Sequence, residues 1–296
     1  MPRHAFQVLP EQKIRVIISA DAKNEIDDQY AIAYALLSPK IEVVGIAAAH
    51  FVIHRLPDSM ERSYQEIECV LEKMGLLGQI PVLRGAPQNL AHENEPIDSE
   101  AARFFIKQAH TPGQPLYVLS TGAITDMASA YLLDPTISSG IEAAVWLGGN
   151  AFPEGGSEFN LANDVAAANV IMDSDLKFWL IPVNASIAMS VSYAEVVHRI
   201  KPCGAIGEYL TEITLAKGTQ EIGPHEENRI LWDIAGVSVV LNPNLHRHHD
   251  INAPRFGEDM RYVAMNREHA IRVYDTIDAR FTLEDLYAKY ALFARN

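Results

Sequence analysis

The chain has 296 residues, of which 48% are hydrophobic, and it carries a formal net charge of −14. This surplus of acidic residues argues against a nucleic-acid backbone as a partner, and no apolar run approaches the roughly 20 residues of a membrane-spanning helix. The cysteines Cys69 and Cys203 belong to no C-x-x-C pair and the first residues lack the apolar core of a signal peptide, so we expect a protein of the reducing cytoplasm.

Short β-branched runs alternate with helical patterns along the first part of the chain. The alternation begins with a buried strand at IRVIISA (14–20) and a helix at DDQYAIAYALLS (27–38), in which apolar residues recur at helical spacing. Further strands are predicted at IEVVGIAAA (41–49), PVLRG (81–85), PLYVLST (115–121), EAAVWLGG (142–149) and KFWLIPV (177–183). Helices are predicted at RSYQEIECVLEKMGLL (62–77), SEAARFFIKQA (99–109), ITDMASAYLLDP (124–135) and DVAAANVIMDS (164–174).

The remainder of the chain, from about Tyr193, is mainly helical by pattern. It contains a strand-like RYVAMN (261–266) and ends in a helix at FTLEDLYAKYALFARN (281–296). No low-complexity linker divides the sequence, so we expect a single domain over residues 1–296. The β–α alternation predicts the α/β class: an open, mostly parallel twisted sheet flanked by helices, with a helical C-terminal part.

Polar residues follow several of the predicted strands. The carboxyl ends of parallel strands meet at one edge of a sheet, and ligands of open α/β sheets bind there. That rule selects Asp21 after the first strand, His50 after the second, Thr121 after the fourth and the segment Gly148–Asn150 after the fifth. We therefore expect these residues to lie close to one site.

The first of these positions opens a dense acidic cluster, SADAKNEIDDQYAIAYAL. Carboxylates this close repel one another unless a cation neutralises them, and hard oxygen ligands suit Ca²⁺ or Mg²⁺. Helix capping is the alternative, because Asp and Glu in a first turn also complement the helix dipole. For the whole cluster we favour a metal site built from Asp21, Asn24, Glu25, Asp27 and Asp28.

Two later segments also place polar residues at strand ends. LSTGAITDMASAYLLDP puts Thr121 and Gly122 between a strand and a helix, which an ordinary tight turn would also explain. WLGGNAFPEGGSEFNLANDVAAANVIM contains an E-F-N run, with Glu158 and Asn160 a short distance after a G-G turn, and a solvated loop residue is the alternative explanation for Glu158. Asp164 in the same segment is better explained as a helix N-cap.

A fourth segment, NRILWDIAGVSVVLNPN, places Asp233 at the start of a helix, directly after Trp232. These segments, in this order, resemble the inosine-uridine preferring nucleoside hydrolases from about Ile14 to Tyr290. The family's pattern is D-x-D-x-x-x-D-D after the first strand, then T-G, E-F-N and a helix that begins with H-D. The resemblance implies an open α/β fold, a small-molecule nucleoside as substrate and a homodimer or homotetramer.

The resemblance also implies a calcium site and a mechanism. The calcium ligands would be the Thr121 backbone carbonyl and the carboxylates of Asp21, Asp28 and Asp233. Asp21 would in addition be the general base for a water that attacks C1′, while the N-glycosidic bond breaks through an oxocarbenium-like state. Glu158 and Asn160 would anchor the ribose, and Asn150 in the same loop is a further candidate for substrate binding.

The acidic cluster departs from the family pattern. Asp21 lies two residues further from the D-D pair than the family's inner Asp, which we attribute to an insertion. Ser19 then stands at the position of the outer Asp. Matching without a gap would put Lys23 at the position of the base, and a lysine neither binds a metal nor readily accepts a proton. Further candidates for metal binding are Asn24, Glu25 and Asp27.

Several aromatic residues also depart from the pattern or fall outside it. Trp232 stands where the family has a histidine that helps to protonate the departing base; a tryptophan can instead stack on the base or sugar, and core packing is the alternative. His50 stands near the family's ribose-binding Asn and would either bind substrate or be an interior histidine. His246, His248 and His249 suggest a transition-metal site, but a solvated loop explains them better.

The sequence therefore predicts Ca²⁺-dependent hydrolysis of a ribonucleoside to ribose and free base. Two other functions stay open at this point. A metal-dependent phosphohydrolase also has an acidic turn after its first strand, although no convincing Lys and Ser/Thr phosphate site follows here. A nucleoside- or ribose-binding protein without activity would account for the departures at Ser19, His50 and Trp232.

Overall fold

A computed structural model describes residue 4 and residues 6–51, 56–221 and 227–295 of the chain. The strands are β1 (Ile14–Ala20), β2 (Ile41–Ala48), β3 (Val82–Arg84), β4 (Leu116–Ser120), β5 (Ala143–Leu147), β6 (Phe178–Ile181), β7 (Ser190–Ser192), β8 (Asn228–Ile230), β9 (Arg247–Asn252), β10 (Arg255–Phe256), β11 (Tyr262–Val263) and β12 (Ala270–Thr276). The α-helices are α1 (Asp27–Leu36), α2 (Ser59–Lys73), α3 (Glu100–Ala109), α4 (Thr125–Leu133), α5 (Phe159–Asn163), α6 (Val165–Asp173), α7 (Val183–Ser186), α8 (Tyr193–Glu195), α9 (Gly204–Glu221), α10 (Ile234–Leu241) and α11 (Ala279–Phe293). Short 3-10 turns occur at Pro10–Gln12 and Pro135–Ser139, and a π-helical turn at Val196–Ile200.

The central element of the described residues is an eight-stranded sheet in the order β3-β2-β1-β4-β5-β6-β12-β9. All neighbouring strands in it are parallel except β12 and β9, which pair antiparallel. Two small antiparallel pairs, β7 with β8 and β10 with β11, lie outside this sheet. The prediction of an α/β fold with an open, mostly parallel sheet is confirmed.

Helices cover both faces of the sheet and form two apolar cores. One core lies between the sheet and α1, α2, α9, α10 and α11. The other lies between the sheet and α3, α4 and α6. Every residue of β1 is buried, as expected for a parallel strand covered on both faces.

Helix α1 is buried along its whole length, so its polar groups find partners inside the protein. The hydroxyl of Tyr30 lies 2.8 Å from that of Thr214, and the Tyr34 hydroxyl donates to Asp285. Because α1 begins at Asp27 and Asp28, its burial also carries these two carboxylates into the interior.

The second half of the chain contains more strand than its pattern predicted. Strands β9 and β12 complete the central sheet in a region expected to be mainly helical. The predicted strand at RYVAMN shrinks to Tyr262–Val263, paired only with the two-residue β10. Strand β9 escaped prediction because its sequence, RHHDIN, is polar and largely exposed at the edge of the sheet.

The parallel strands bring their carboxyl ends to one edge of the sheet. Asp21, Thr121 and Gly148 directly follow β1, β4 and β5 at this edge. The site described below lies there. Among the parts of the chain that the structure describes, no helix combines the length and the apolar character needed to cross a membrane.

Candidate active site

A cavity of about 320 Å³ opens at the carboxyl ends of β1, β4, β5 and β6. Its polar wall contains nearly all of the residues selected from the sequence: Asp21, Asn24, Glu25, Asp27, Asp28, Thr121, Asn150, Glu158, Asn160 and Asp233. Its apolar wall is formed by Leu147, Phe159, Ile181, Val183 and Trp232. The cavity therefore combines a concentrated negative charge with a surface on which a ring can pack.

Three carboxylates converge on one point of the polar wall. Asp27 and Asp28 begin α1, and Asp233 directly precedes α10. Each offers an oxygen, and these oxygens all lie within 4.8 Å of one another. All three residues are buried, so water screens their repulsion poorly. This convergence is suited to a divalent cation held by hard oxygen ligands.

The pKa values of these carboxyls show the cost of leaving them without a cation. Burial, followed by the charge of Asp28, raises the pKa of Asp27 to about 7. Burial raises the pKa of Asp28 to about 6, although a hydrogen bond from Thr121 opposes the shift. Burial and then the neighbouring aspartates raise the pKa values of Asp21 and Asp233 well above the usual range. A bound cation would reverse these shifts.

Asp21 lies beside this group, in the turn between β1 and α1. Its Oδ2 atom is buried and accepts no hydrogen bond from a described N–H or hydroxyl group, and its carboxyl shares a hydrogen bond with that of Asp28. A buried carboxylate oxygen without a donor is costly unless something at the site binds it. All of the converging groups are oxygen donors, and the orphaned oxygen points to a missing positive partner, so the residues present fit a calcium ion.

The turn after β4 holds Asp21 and Asp28 in place. The Thr121 hydroxyl donates to Asp28 Oδ1 at 2.6 Å. A Cβ atom at Gly122 would lie 2.9 Å from Asp21 Cβ, so only glycine allows the two turns to approach this closely. The Trp146 indole fixes the same turn by donating to the Gly122 carbonyl at 3.0 Å.

Asn160 links the ends of two strands. Its side-chain amide donates to the carbonyl oxygens of Thr121, at 2.8 Å, and Leu147, at 3.0 Å. The Thr121 carbonyl is the predicted backbone ligand, and an oxygen with two lone pairs can accept this bond and still face a cation. Asn160 thus both lines the cavity and orients that carbonyl.

Glu158 and Asn150 line the cavity, and both also form hydrogen bonds to backbone groups near them in the chain. Glu158 accepts hydrogen bonds from the backbone N–H groups of Asn160 and Leu161 at the start of α5, and from Gly149. Burial raises the pKa of Glu158, while these backbone donors oppose the shift. Asn150 donates to the Ser157 carbonyl and accepts from the Ala151 amide. Glu158 is a helix cap in this structure, a role that the E-F-N pattern did not reveal.

The turn that carries the acidic cluster is held by ion pairs on two sides. Glu25, which lines the cavity, pairs with Arg229 of β8 at 2.5 Å. Lys23 pairs with Glu66 of α2, also at 2.5 Å. Lys23 is not among the residues that line the cavity. No pattern in the sequence singled out Arg229, because its partner lies 204 residues away along the chain.

Ser186 and Val183 were also missed by the sequence analysis. They lie in the short helix α7 directly after β6 and line the cavity. The rule that ligands bind beyond the carboxyl ends of strands selects them when it is applied to the predicted strand KFWLIPV.

Other sequence candidates lie outside the cavity. His50 is fully buried, and its Nε2 lies 2.8 Å from the Thr125 hydroxyl, which donates to Asp164. Asp164 caps α6 by accepting from the Ala167 amide. His50 is therefore part of an interior network in this structure, and burial lowers its pKa to about 4.

The histidine-rich segment is not the solvated loop that was expected. His246 is buried between the Ser238 hydroxyl and the backbone N–H of Asp278. His248 and His249 belong to strand β9. Among the described residues, these histidines do not come together in a group that could hold a metal ion, whereas Asp27, Asp28 and Asp233 do.

Comparisons with known proteins agree with the fold. The sequence model of the inosine-uridine preferring nucleoside hydrolases matches residues 16–282. The chain is 23% identical to a probable uridine nucleosidase 2 of Arabidopsis thaliana over 228 residues, which cover 67% of this chain and 68% of that protein. It is 22% identical to a probable uridine nucleosidase 1 of Oryza sativa subsp. japonica over 231 residues, 69% of each chain.

Solved structures show the same fold at low sequence identity. A purine-preferring ribonucleoside hydrolase from Gardnerella vaginalis superposes with a TM-score of 0.79 and 20% identity, covering 95% of this chain and 99% of the other. An inosine-uridine preferring nucleoside hydrolase from Bacillus anthracis superposes with a TM-score of 0.71 and 14% identity, over the same shares.

Proposed function

Because the chain belongs to the inosine-uridine preferring nucleoside hydrolase family, we propose that it hydrolyses the N-glycosidic bond of a ribonucleoside with Ca²⁺ as cofactor and Asp21 as general base. The observation that carries the proposal is the convergence of Asp27, Asp28 and Asp233 beside the orphaned Asp21 oxygen, at the floor of a cavity large enough for a small ligand. The products would be ribose and the free base.

The metal would be held by Asp21, Asp28, Asp233 and the Thr121 carbonyl, which come from three segments of the chain: from β1 into α1, after β4 and before α10. Asp27 is close enough to join them. When bound, calcium would supply positive charge that orients the ribose hydroxyl groups and makes a nearby water more acidic. Asn24 contributes to the wall of the site, and we further propose that Glu25 is not a ligand, because it is paired with Arg229.

The chain's own residues would then carry the reaction. Asp21 Oδ2 takes a proton from water, and the water oxygen bonds to C1′ of the ribose. The C1′–N bond breaks and its electron pair leaves with the base. The carboxylates around the sugar favour the positive charge that develops on it in the transition state. Glu158 and Asn160, at the start of α5 in the wall of the cavity, orient the ribose.

The base would leave from the apolar side of the cavity. Trp232 is half-buried there and presents an aromatic ring beside Asp233. None of the described residues that line the cavity is a histidine, lysine or tyrosine. This composition favours stabilisation of the departing base by stacking on Trp232, with a proton from solvent, over a dedicated acid in the described wall.

The test is ribose release from a panel of purine and pyrimidine ribonucleosides. We expect the wild-type protein to release ribose with Ca²⁺ present, and Asp21→Asn to lower kcat by at least about 100-fold because the proton acceptor is lost. Circular dichroism of the variant should match that of the wild type, because Asn has the shape of Asp. Asp250→Asn, at an exposed position on β9, is the matched control and should retain full turnover.

Near-normal turnover of Asp21→Asn would contradict the assignment of the base. Calorimetry of the wild-type protein tests the remaining possibility, that the chain is a nucleoside-binding protein without activity. Nucleoside binding without ribose release from any member of the panel would overturn the proposed hydrolysis.

A further inference from the structure

Arg229 is a buried cation next to the acidic cavity. It lies in β8 and is only 3% exposed. Its Nη2 donates to Glu25 Oε2 at 2.5 Å. Glu25 is about one-third exposed and belongs to the turn between β1 and α1. The contact therefore joins two segments that are distant in the chain and adjacent at the site.

Each residue of this ion pair is followed closely in the sequence by predicted metal ligands. Asp27 and Asp28 come two and three residues after Glu25. After Arg229 come Ile230 and Leu231, and then Trp232 and Asp233. The backbone of β8 is tied in turn to β7, where Arg229 pairs with Val191. The ion pair thus connects the segment that carries Asp27 and Asp28 to the segment that carries Asp233.

A buried guanidinium is stable only when a carboxylate compensates it, and removal of one partner leaves an unpaired buried charge. Glu25 supplies that carboxylate. On its other side the same turn is held by Lys23, which pairs with Glu66, and by Gln29, which donates to the Ala22 carbonyl at 2.6 Å. The acidic turn is therefore anchored at both of its flanks.

We propose that Arg229 is a positioning residue, whose ion pair with Glu25 holds the Asp21–Asp28 turn against the Trp232–Asp233 segment so that the metal-binding carboxylates stay together. Glu25 then serves this pair and is not a metal ligand. The proposal rests on the proposed function for its cation, but it concerns the geometry of the site and not the reaction.

An argument from charge alone and the proposed positioning role make opposite predictions for the Ca²⁺ affinity of Arg229→Gln, so this variant distinguishes them. Removing the positive charge of Arg229 makes the site more negative and should strengthen binding of Ca²⁺. Loss of the positioning contact should weaken it. The double variant Glu25→Gln/Arg229→Gln removes one charge of each sign, so it breaks the contact without changing the net charge of the site.

The experiment is calorimetric titration of Ca²⁺ into chelator-treated full-length protein for the wild type, both single variants and the double variant. We expect Arg229→Gln and the double variant each to bind Ca²⁺ about tenfold more weakly than the wild type. Tighter or unchanged binding by Arg229→Gln would overturn the proposal. If binding weakened in Glu25→Gln but not in Arg229→Gln, Glu25 would be a direct ligand, which also overturns it.

The control is the pair formed by Arg199 and Glu284, whose two contacts measure 2.7 and 2.8 Å. The double variant Arg199→Gln/Glu284→Gln loses an arginine–carboxylate pair outside the cavity and should keep wild-type Ca²⁺ affinity. If Arg229→Gln fails to fold, Glu25→Asp replaces it, because the shorter side chain keeps the charge but gives up the contact. We expect several-fold weaker Ca²⁺ binding by that variant, and unchanged affinity would overturn the proposal.

These titrations need no substrate, so they are independent of the proposed reaction. If the wild type binds Ca²⁺ but releases no ribose from any nucleoside, the proposed function fails while the role of Arg229 is still decided. If ribose is released and the variants bind Ca²⁺ like the wild type, the role of Arg229 fails alone.

Discussion

At the scale of single residues, Asp27 shows how the metal-free site depends on pH. Its pKa is raised to about 7, first by burial and then by the charge of Asp28. A carboxyl whose folded pKa exceeds its unfolded value binds a proton more tightly when folded. Its contribution to stability is therefore complete at low pH and is lost as the pH rises from about 4 through about 7.

Asp27→Asn should remove this dependence. In the presence of a chelator at about pH 8, we expect the variant to be more stable than the wild type by on the order of 2 kcal/mol, because a buried like charge is gone. At about pH 4 the aspartate is already neutral, so the two proteins should unfold at similar denaturant concentrations. Urea unfolding at both pH values measures the difference, with Asp250→Asn as the exposed control.

If the wild type and Asp27→Asn were equally stable at about pH 8, the raised pKa of Asp27 and its repulsion by the neighbouring carboxylates would be contradicted. Addition of Ca²⁺ gives a second check. The wild type should gain more stability from the ion than Asp27→Asn, since the variant offers one carboxylate fewer.

The residues of the site were predictable to different degrees. Asp21 and Thr121 follow from the rule for strand ends, and Asp233 follows from the family pattern, because each is fixed by local sequence. The capping of α5 by Glu158 and the pairing of Arg229 with Glu25 were not predictable. Both depend on which loops approach each other in the folded chain, and neither leaves a periodic signal.

At the scale of elements, the site depends on the approach of two turns. The turn after β4 reaches the turn after β1 at Gly122, where an added Cβ would lie 2.9 Å from Asp21 Cβ and 3.0 Å from its Cγ. These contacts are too short for any real side chain, so the turns would have to separate.

Gly122→Ala should therefore damage the site more than the fold. We expect a loss of about 1–3 kcal/mol in the free energy of unfolding. We also expect a weaker affinity for Ca²⁺, because separation of the two turns moves Asp21 and Thr121 away from each other and from the other proposed ligands. Thermal unfolding and calorimetry measure the two effects.

Gly78→Ala is the control for this substitution. Gly78 has a φ of 76° but nothing lies within 4 Å of an added Cβ, so the change strains only the backbone. It should cost about 1 kcal/mol and leave Ca²⁺ affinity unchanged. Wild-type affinity in Gly122→Ala would show that the turns tolerate separation.

The elements themselves were predictable where both faces are covered. Strands β5 and β6 are continuous apolar runs and β1 and β4 are mostly apolar, which is the pattern of buried parallel strands. The pattern failed at β9, because an edge strand needs no apolar run, and at β12, which carries alternating polar residues and joins the sheet from a distant part of the chain. Tertiary pairing decided these strands.

At the scale of the whole molecule, the cation should act as part of the fold. Ligands after β1, after β4 and before α10 converge only in the folded chain, so an ion bound by them stabilises the native state and not the unfolded chain. We expect Ca²⁺ at about 100 times its dissociation constant to add roughly 2.7 kcal/mol to the free energy of unfolding.

This stabilisation should depend on pH in a defined direction. The pKa values of Asp27 and Asp28, about 7 and about 6, lie between pH 5 and pH 8. These carboxyls therefore bind protons as the pH falls through this range, and the protons compete with the cation. The rise in melting temperature on adding Ca²⁺ to chelator-treated protein should be larger at about pH 8 than at about pH 5. Scanning calorimetry at the two pH values tests this, and a larger rise at the lower pH would contradict it.

The two outer strands of the sheet limit how this protein can associate. Strand β3 has only three residues, and the backbone N–H of its Arg84 already donates to Glu100. Strand β9 presents a largely exposed row of charged and polar side chains, with His249 paired to Asp275. Short or charged edges resist the addition of a strand from another chain. Self-association by extension of the sheet, including its aggregated forms, is thus disfavoured at both ends.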